Sequence, residues 1–238
     1  MNLFFEGAKE AIHLIVSLDR QVVSAAVRSV WISVIAVGIA ASLGLPLGAC
    51  LARRKVPGHR FLVFFARGAM SLPTVFIGLV CYGVFSRRGL LGSADLLYTP
   101  WAIIAGELIL ATPIIISLTH GAVSALDPRV GETALTLGAS PWRRFLTYLS
   151  EARVGCWLAI LTAFSRCVTE LGIAMMVGGN IKDRTRTLAT ATALETGKGE
   201  FGRGLAMGGI LLVVAISVSL AVHFLAGREQ QRGSVHDD

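Results

Sequence analysis

Five long apolar blocks separated by short polar stretches leave this chain few ways to fold. They run from about Ser29 to Ala52, Phe61 to Phe85, Trp101 to Val123, Val154 to Val177 and Leu205 to Ala226. A hydrocarbon core about 30 Å thick is crossed by roughly 20 helical residues rising about 1.5 Å each. Backbone polar groups find no water there, so a spanning segment of that length has to be helical. The expectation is an all-α, polytopic membrane protein with about five transmembrane helices, forming a single domain over residues 1–238. Composition agrees: 54% of the residues are hydrophobic before the 26 glycines are counted. Soluble domains hold about 45–50% apolar residues with glycine included.

The net charge of +7 raises the question of nucleic acid. That reading needs basic residues gathered on one folded face. Here they sit in short segments between apolar blocks, where anionic lipid headgroups are the simpler partner. Nucleic acid is therefore not expected, and membrane lipid is. Cys50, Cys81, Cys156 and Cys167 all lie in or beside apolar blocks and form no C-x-x-C pair. They read as small hydrophobes rather than metal ligands or a disulfide framework. The mixed residues before Ser29 do not have the form of a cleaved signal, which starts basic and carries a shorter apolar run.

Apolar residues recur at helical spacing over residues 3–23, with charges between them, which predicts an interfacial amphipathic helix. In the first span, Gly44 and Gly48 form a G-x-x-x-G pair that permits close helix approach, with Pro46 between them. Leu72-Pro73 interrupts the second span and Pro113 lies inside the third. Residues 124–153 are too polar for the membrane and too patterned for a linker. Residues 178–204 read as a long polar loop, and residues 227–238 as a disordered polar tail.

The stretch GETALTLGASPWRRFLTYLSEAR, Gly131 to Arg153, reads as two short helices at an angle around Gly138, the second opened by Pro141. Two such helices bury little apolar surface by themselves and suit a groove on a partner. The stretch resembles the EAA loop of ABC-importer permeases, whose pattern is E-A-A, three residues, G, nine residues, I-x-L-P. Glu132, Ala134 and Gly138 stand at matching positions, while Thr133, Tyr148, Ser150 and Glu151 depart from it.

The resemblance extends over about residues 22–227. Leu72-Pro73-Thr74-Val75 with Gly78, Ala111-Thr112-Pro113-Ile114, Phe164-Ser165-Arg166 and Glu170-Leu171-Gly172 look like spans of oxyanion permeases. The sharpest match is residues 178–201, where N-I-x-x-x-T-R-T is shared with molybdate-type permeases. The continuation L-E-T-G-K-G-E-F looks like tungstate permeases. The resemblance implies the type I importer permease fold and a homodimer with its pathway at the subunit interface. It also implies import of an oxyanion, tungstate first, with molybdate or sulfate as alternatives. Partners would be cytoplasmic ABC ATPases gripping the loop at Glu132, Ala134 and Gly138, and an extracytoplasmic oxyanion-binding protein. Lys and Arg number ten on each side of a five-span arrangement, so the positive-inside rule does not decide orientation. An ATPase-docking loop would place the N-terminus outside and the C-terminus in the cytoplasm, in a bacterial or archaeal cytoplasmic membrane.

The chain itself is expected to be a transport subunit, not an enzyme, and no cofactor is implied. Its one Gly-Lys pair, Gly197-Lys198, lacks the P-loop spacing. Charges inside spans are expensive and mark functional candidates: Glu107, Arg166 and Glu170, with Arg67 placed to snorkel. Arg166 and Glu170, four apart, can pair, either to hold helices together or to switch during transport. Asn180, Thr185, Arg186 and Thr187 offer donors in the outer loop, for docking the binding protein or for contacting the oxyanion. An ion-coupled secondary transporter would need inverted repeats, and a membrane enzyme a clustered nucleophile and base. Neither pattern is found.

Overall fold

The computed structural model describes residues 2–53 and 58–234, and among these it is helical, with no strand. Arg54, Lys55 and Pro57 of the basic turn, and residues 235–238 of the tail, lie outside the described residues. In chain order the helices are α1 (Asn2–Val16), α2 (Arg20–Arg53), α3 (His59–Ala69), α4 (Thr74–Phe85) and α5 (Pro100–Ser124). They are followed by α6 (Pro128–Thr136), α7 (Pro141–Glu151), α8 (Arg153–Val168), α9 (Gly172–Gly178), α10 (Leu188–Gly197) and α11 (Phe201–Ser234). Three are long and apolar enough to cross a membrane: α2, α5 and the Phe201–Leu220 part of α11. The count rises to five when the bent pairs α3–α4 and α8–α9 are each taken as one span.

Several boundaries differ from the expected ones for identifiable reasons. The amphipathic helix expected over 3–23 ends at Val16, because Leu18 adopts a positive φ of 51°. Asp19 then restarts the chain, its Oδ1 accepting from Gln21 N (2.9 Å) and Val22 N (3.2 Å) at the head of α2. Leu72-Pro73 separates α3 from α4 as expected of a proline without a donor. The fourth apolar block is broken in the middle, since Glu170 Oε1 accepts from Gly172 N (2.7 Å) and Ile173 N (3.3 Å) and so opens α9. The segment expected as a loop over 178–204 contains α10, started by a reciprocal capping box between Thr187 and Thr190. The tail expected to be disordered continues α11 to Ser234.

The chain forms two compact units. The first comprises Met1–Ala36, Pro73–Ile109 and Ser165–Ser217. Its core joins Val22 and Ala25 of α2 to Leu188 and Ala191 of α10 and Met207 of α11. Within it α9 packs on α4 at Gly78, where an added Cβ would stand 3.0 Å from Met176 Cβ, and on α5 at Gly106, where one would overlap Ile173. The second unit comprises Val37–Leu72, Leu110–Phe164 and Val218–Asp238. Here the G-x-x-x-G pair acts as its spacing suggests. A Cβ at Gly44 would lie 2.8 Å from Ile115 Cγ2, and one at Gly48 2.8 Å from the Ile116 carbonyl oxygen of α5. Only glycine allows that approach of backbone to backbone. A second cluster in this unit gathers Ala49, Val123, Tyr148, Ala152 and Cys156.

Candidate functional site

The α6–α7 segment is built by local rules. Asp127 Oδ1 accepts from Arg129 N (2.8 Å) and Pro128 follows at the first helical position, so α6 starts there. Gly138 takes φ +72° just after α6 and lets Ala139 N reach back to Ala134 O at 2.9 Å. Ser140 Oγ accepts from Arg143 N (3.4 Å) and Pro141 opens α7. Ala134 is buried, while Glu132 and Gly138 are exposed. Leu135, Leu137, Trp142 and Leu146 are also exposed, Leu137 by 81%. Trp142 and Phe145 stack at 5.4 Å on the same helix. A shallow cleft lined by Asp127, Arg129, Thr133, Ala134, Arg143 and Glu151 runs along this segment. An exposed apolar row beside a charged cleft is the chemistry of a docking helix pair.

Sequence reasoning missed what holds this segment in place. The guanidinium of Arg53, in the last turn of α2, stands 4.8 Å from the centroid of the Tyr148 ring. Its Nη2 donates to the Leu126 carbonyl at 3.0 Å. The Tyr148 hydroxyl lies over Gly131, where any Cβ would overlap it. The departure of Tyr148 from the expected apolar residue was the available signal: a buried tyrosine needs both a space and a polar partner.

The intramembrane candidates come together in the first unit. Glu107 and Glu170 are 2% and 3% exposed. Arg166 Nη1 donates to Glu170 Oε2 at 2.7 Å, and the Arg166 side chain keeps 43% of its surface accessible. Glu170 sits past the end of α8, so the pair closes a helix break and is not confined to one helix face. Glu107 faces Ser33 and Glu170, and Cys167 Sγ contacts the Glu107 carbonyl at 3.7 Å.

Asn180, Thr185, Arg186 and Thr187 bond groups of their own segment. Thr185 Oγ1 donates to Gly178 O, 2.6 Å away, and accepts from Ile181 N at 2.9 Å. Arg186 Nε donates to Asn180 Oδ1 (3.2 Å), and Asn180 Nδ2 to Thr190 O (3.3 Å). Thr187 caps α10, and Arg28 of α2 donates to the Arg186 carbonyl at 2.8 Å. Thr185 and Thr187 are buried, whereas the four residues from Ile181 to Arg184 are exposed at the tip. Ser29, another residue the sequence did not single out, accepts from Leu188 N at 2.7 Å and ties α10 to α2.

Comparison with known proteins places this architecture. A family profile described as "Binding-protein-dependent transport system inner membrane component" matches residues 44–230. The chain is 36% identical over 225 residues to the tungstate uptake system permease protein TupB of Campylobacter jejuni, covering 94% of each chain. It is 32% identical over 225 residues to the protein of the same description from Peptoclostridium acidaminophilum, covering 94% of this chain and 99% of that one. Among solved structures, an amino acid ABC transporter with histidines matches with a TM-score of 0.64. That match covers 90% of this chain and 96% of the other at 17% identity, and bears on the fold alone.

Proposed function

Since this chain belongs to the family of binding-protein-dependent transport system inner membrane components, we propose that it is the permease subunit of an ATP-driven ABC importer for an oxyanion, and that the oxyanion is tungstate. The family makes it a transport component rather than an enzyme, set in the inner membrane as a multi-pass protein. Separate ATPase and substrate-binding partners go with that membership. The observation that carries the tungstate reading is the match, over 94% of this chain, to two tungstate uptake permeases.

In this reading two copies form a homodimer within lipid, with the pathway between them. The exposed row Leu135, Leu137, Trp142 and Leu146 enters a groove on the ATPase. Glu132, Ala134 and Gly138 shape that contact: an exposed charge, a buried packing residue and the turn between the helices. Closing of the ATPases draws the two loops together and turns access from the cytoplasm to the outside. The N-terminus then lies outside and the C-terminus inside. Asn180, Thr185, Arg186 and Thr187 brace the outer loop, whose exposed tip between Ile181 and Arg184 meets the oxyanion-binding protein. Arg166, Glu170 and Glu107 lie on the pathway as gate residues, since intramembrane charges mark substrate routes and Arg166 keeps an accessible face.

Cells lacking this chain should accumulate less tungstate at nanomolar supply, with sulfate uptake unchanged. Loss of sulfate uptake with tungstate uptake intact would overturn the assignment.

A further inference from the structure

The end of the coupling segment departs from the family pattern where the second unit places a tie. From the contacts of Arg53, Tyr148 and Leu126 we infer that Arg53 is a positioning residue. It clamps the coupling helices to the membrane spans, so that movement imposed on α6 and α7 is carried into α2 and α5. The inference rests on reading α6–α7 as the ATPase-docking element.

One guanidinium touches three pieces of chain. It belongs to the last turn of α2 and stands 4.8 Å from the centroid of the Tyr148 ring in α7. It also bonds the Leu126 carbonyl at 3.0 Å, in the two-residue stretch between the end of α5 and the Asp127 cap of α6. The planar fork of arginine can stack on a ring and donate along its edge at once, whereas a lysine ammonium cannot. Arg53 Nε is withdrawn from water, and a cation–π contact is stronger when desolvated. At the hydroxyl end of the ring, Gly131 leaves the Tyr148 hydroxyl a seat that any larger residue would fill. Tyr148 belongs to one buried cluster with Ala49, Val123, Ala152 and Cys156. The coupling helices are thus attached to the span ends through a packed contact and an oriented charge. Such attachments transmit displacement because packed cores do not deform continuously.

The test uses the complete transporter in proteoliposomes, with ATPase and binding protein, and reads tungstate taken up per ATP hydrolysed. That ratio is insensitive to how many complexes assemble, so a purely structural loss leaves it where it was. Arg53→Gln is expected to lower the ratio roughly 2- to 30-fold, the range over which changes along a coupling network act. Tyr148→Leu should lower it as far, and Arg53→Lys should recover it only in part. Tyr148→Phe keeps the ring face and should lose less of the ratio than Tyr148→Leu. The double variant Arg53→Gln with Tyr148→Leu should fall no further than either single variant, because both remove one tie. An unchanged ratio in Arg53→Gln, or losses that multiply in the double variant, overturns the proposal. If Arg53→Gln does not accumulate, Tyr148→Leu against Tyr148→Phe decides on the same readout. A wild-type permease that retains no ATPase overturns the docking reading and this proposal with it. A coupled wild type with an equally coupled Arg53→Gln overturns this proposal alone.

Discussion

Arg166 Nη1 donates to Glu170 Oε2 at 2.7 Å, and the other oxygen of that carboxylate caps α9. The two residues are unequal partners, because Glu170 is buried and Arg166 is nearly half accessible. Removing the carboxylate leaves the Gly172 and Ile173 amides without an acceptor, at a cost of about 1–3 kcal/mol each when buried. Removing Arg166 leaves that carboxylate its two amide donors, and water can reach the place of a guanidinium that was nearly half accessible. Glu170→Ala should therefore lower the melting temperature of the purified permease more than Arg166→Ala does, with Glu170→Gln between them. A larger loss in Arg166→Ala would contradict the capping role.

Gly138 sits at φ +72° with nothing within 4 Å of the position a Cβ would take. A valine there meets no neighbour in this chain but is strained by roughly 1–3 kcal/mol in the backbone. Gly138→Val should leave the protein in the membrane, weaken its hold on the ATPase and abolish uptake. Glu132→Ala should do less, since an exposed charge contact is worth about 1 kcal/mol or less. Co-purification of the ATPase with tagged permease, beside a membrane-level blot, measures both. Full ATPase recovery and uptake in Gly138→Val would remove the coupling role of this turn.

Gly48 meets backbone on α5, and Gly38 on the same helix has nothing within 4 Å. Gly48→Leu must separate the helices and should destabilise by about 1–3 kcal/mol or more. Gly38→Ala should be neutral or slightly stabilising, because alanine loses less backbone entropy in a helix. Size-exclusion profiles in detergent compare the two. A monodisperse Gly48→Leu protein at wild-type yield would show that the close crossing is not required.

Long-range apolar patterning was legible in the sequence, and so were the Gly44–Gly48 contact and the turn at Gly138, because each follows from residue size or backbone freedom alone. What was hidden were the partners that polar side chains take up on folding. Glu170 read as an intramembrane charge, yet it also serves as a cap that splits the fourth block. Thr187 and Arg186 read as donors for docking the binding protein or contacting the oxyanion, and their bonds within the chain to Thr190 and Asn180 did not show in the sequence. Ser29 looked like the edge of an apolar block and holds the first amide of α10. Such partners are separated by up to 159 residues and leave no periodic trace. Tyr148 showed only as a departure from a motif, and its meaning required Arg53 and Gly131 beside it.

The proposed orientation makes a separate prediction. Reporter fusions after Lys55 and Ser140 should report the cytoplasm, and fusions after Asp95 and Lys198 the outside. The motivation is the exposure of Leu135, Leu137, Trp142 and Leu146 on the α6–α7 segment, proposed above to dock on the ATPase. Opposite locations for positions 55 and 140 would break the five-span arrangement.

The most direct test of the central claim is ATP-driven uptake of labelled tungstate into proteoliposomes holding this permease, its ATPase and its binding protein. Uptake should require all three components and ATP hydrolysis, and excess unlabelled tungstate should abolish it while equimolar sulfate leaves it unchanged. Tungstate accumulation without ATP, driven by an imposed ion gradient, would contradict the account.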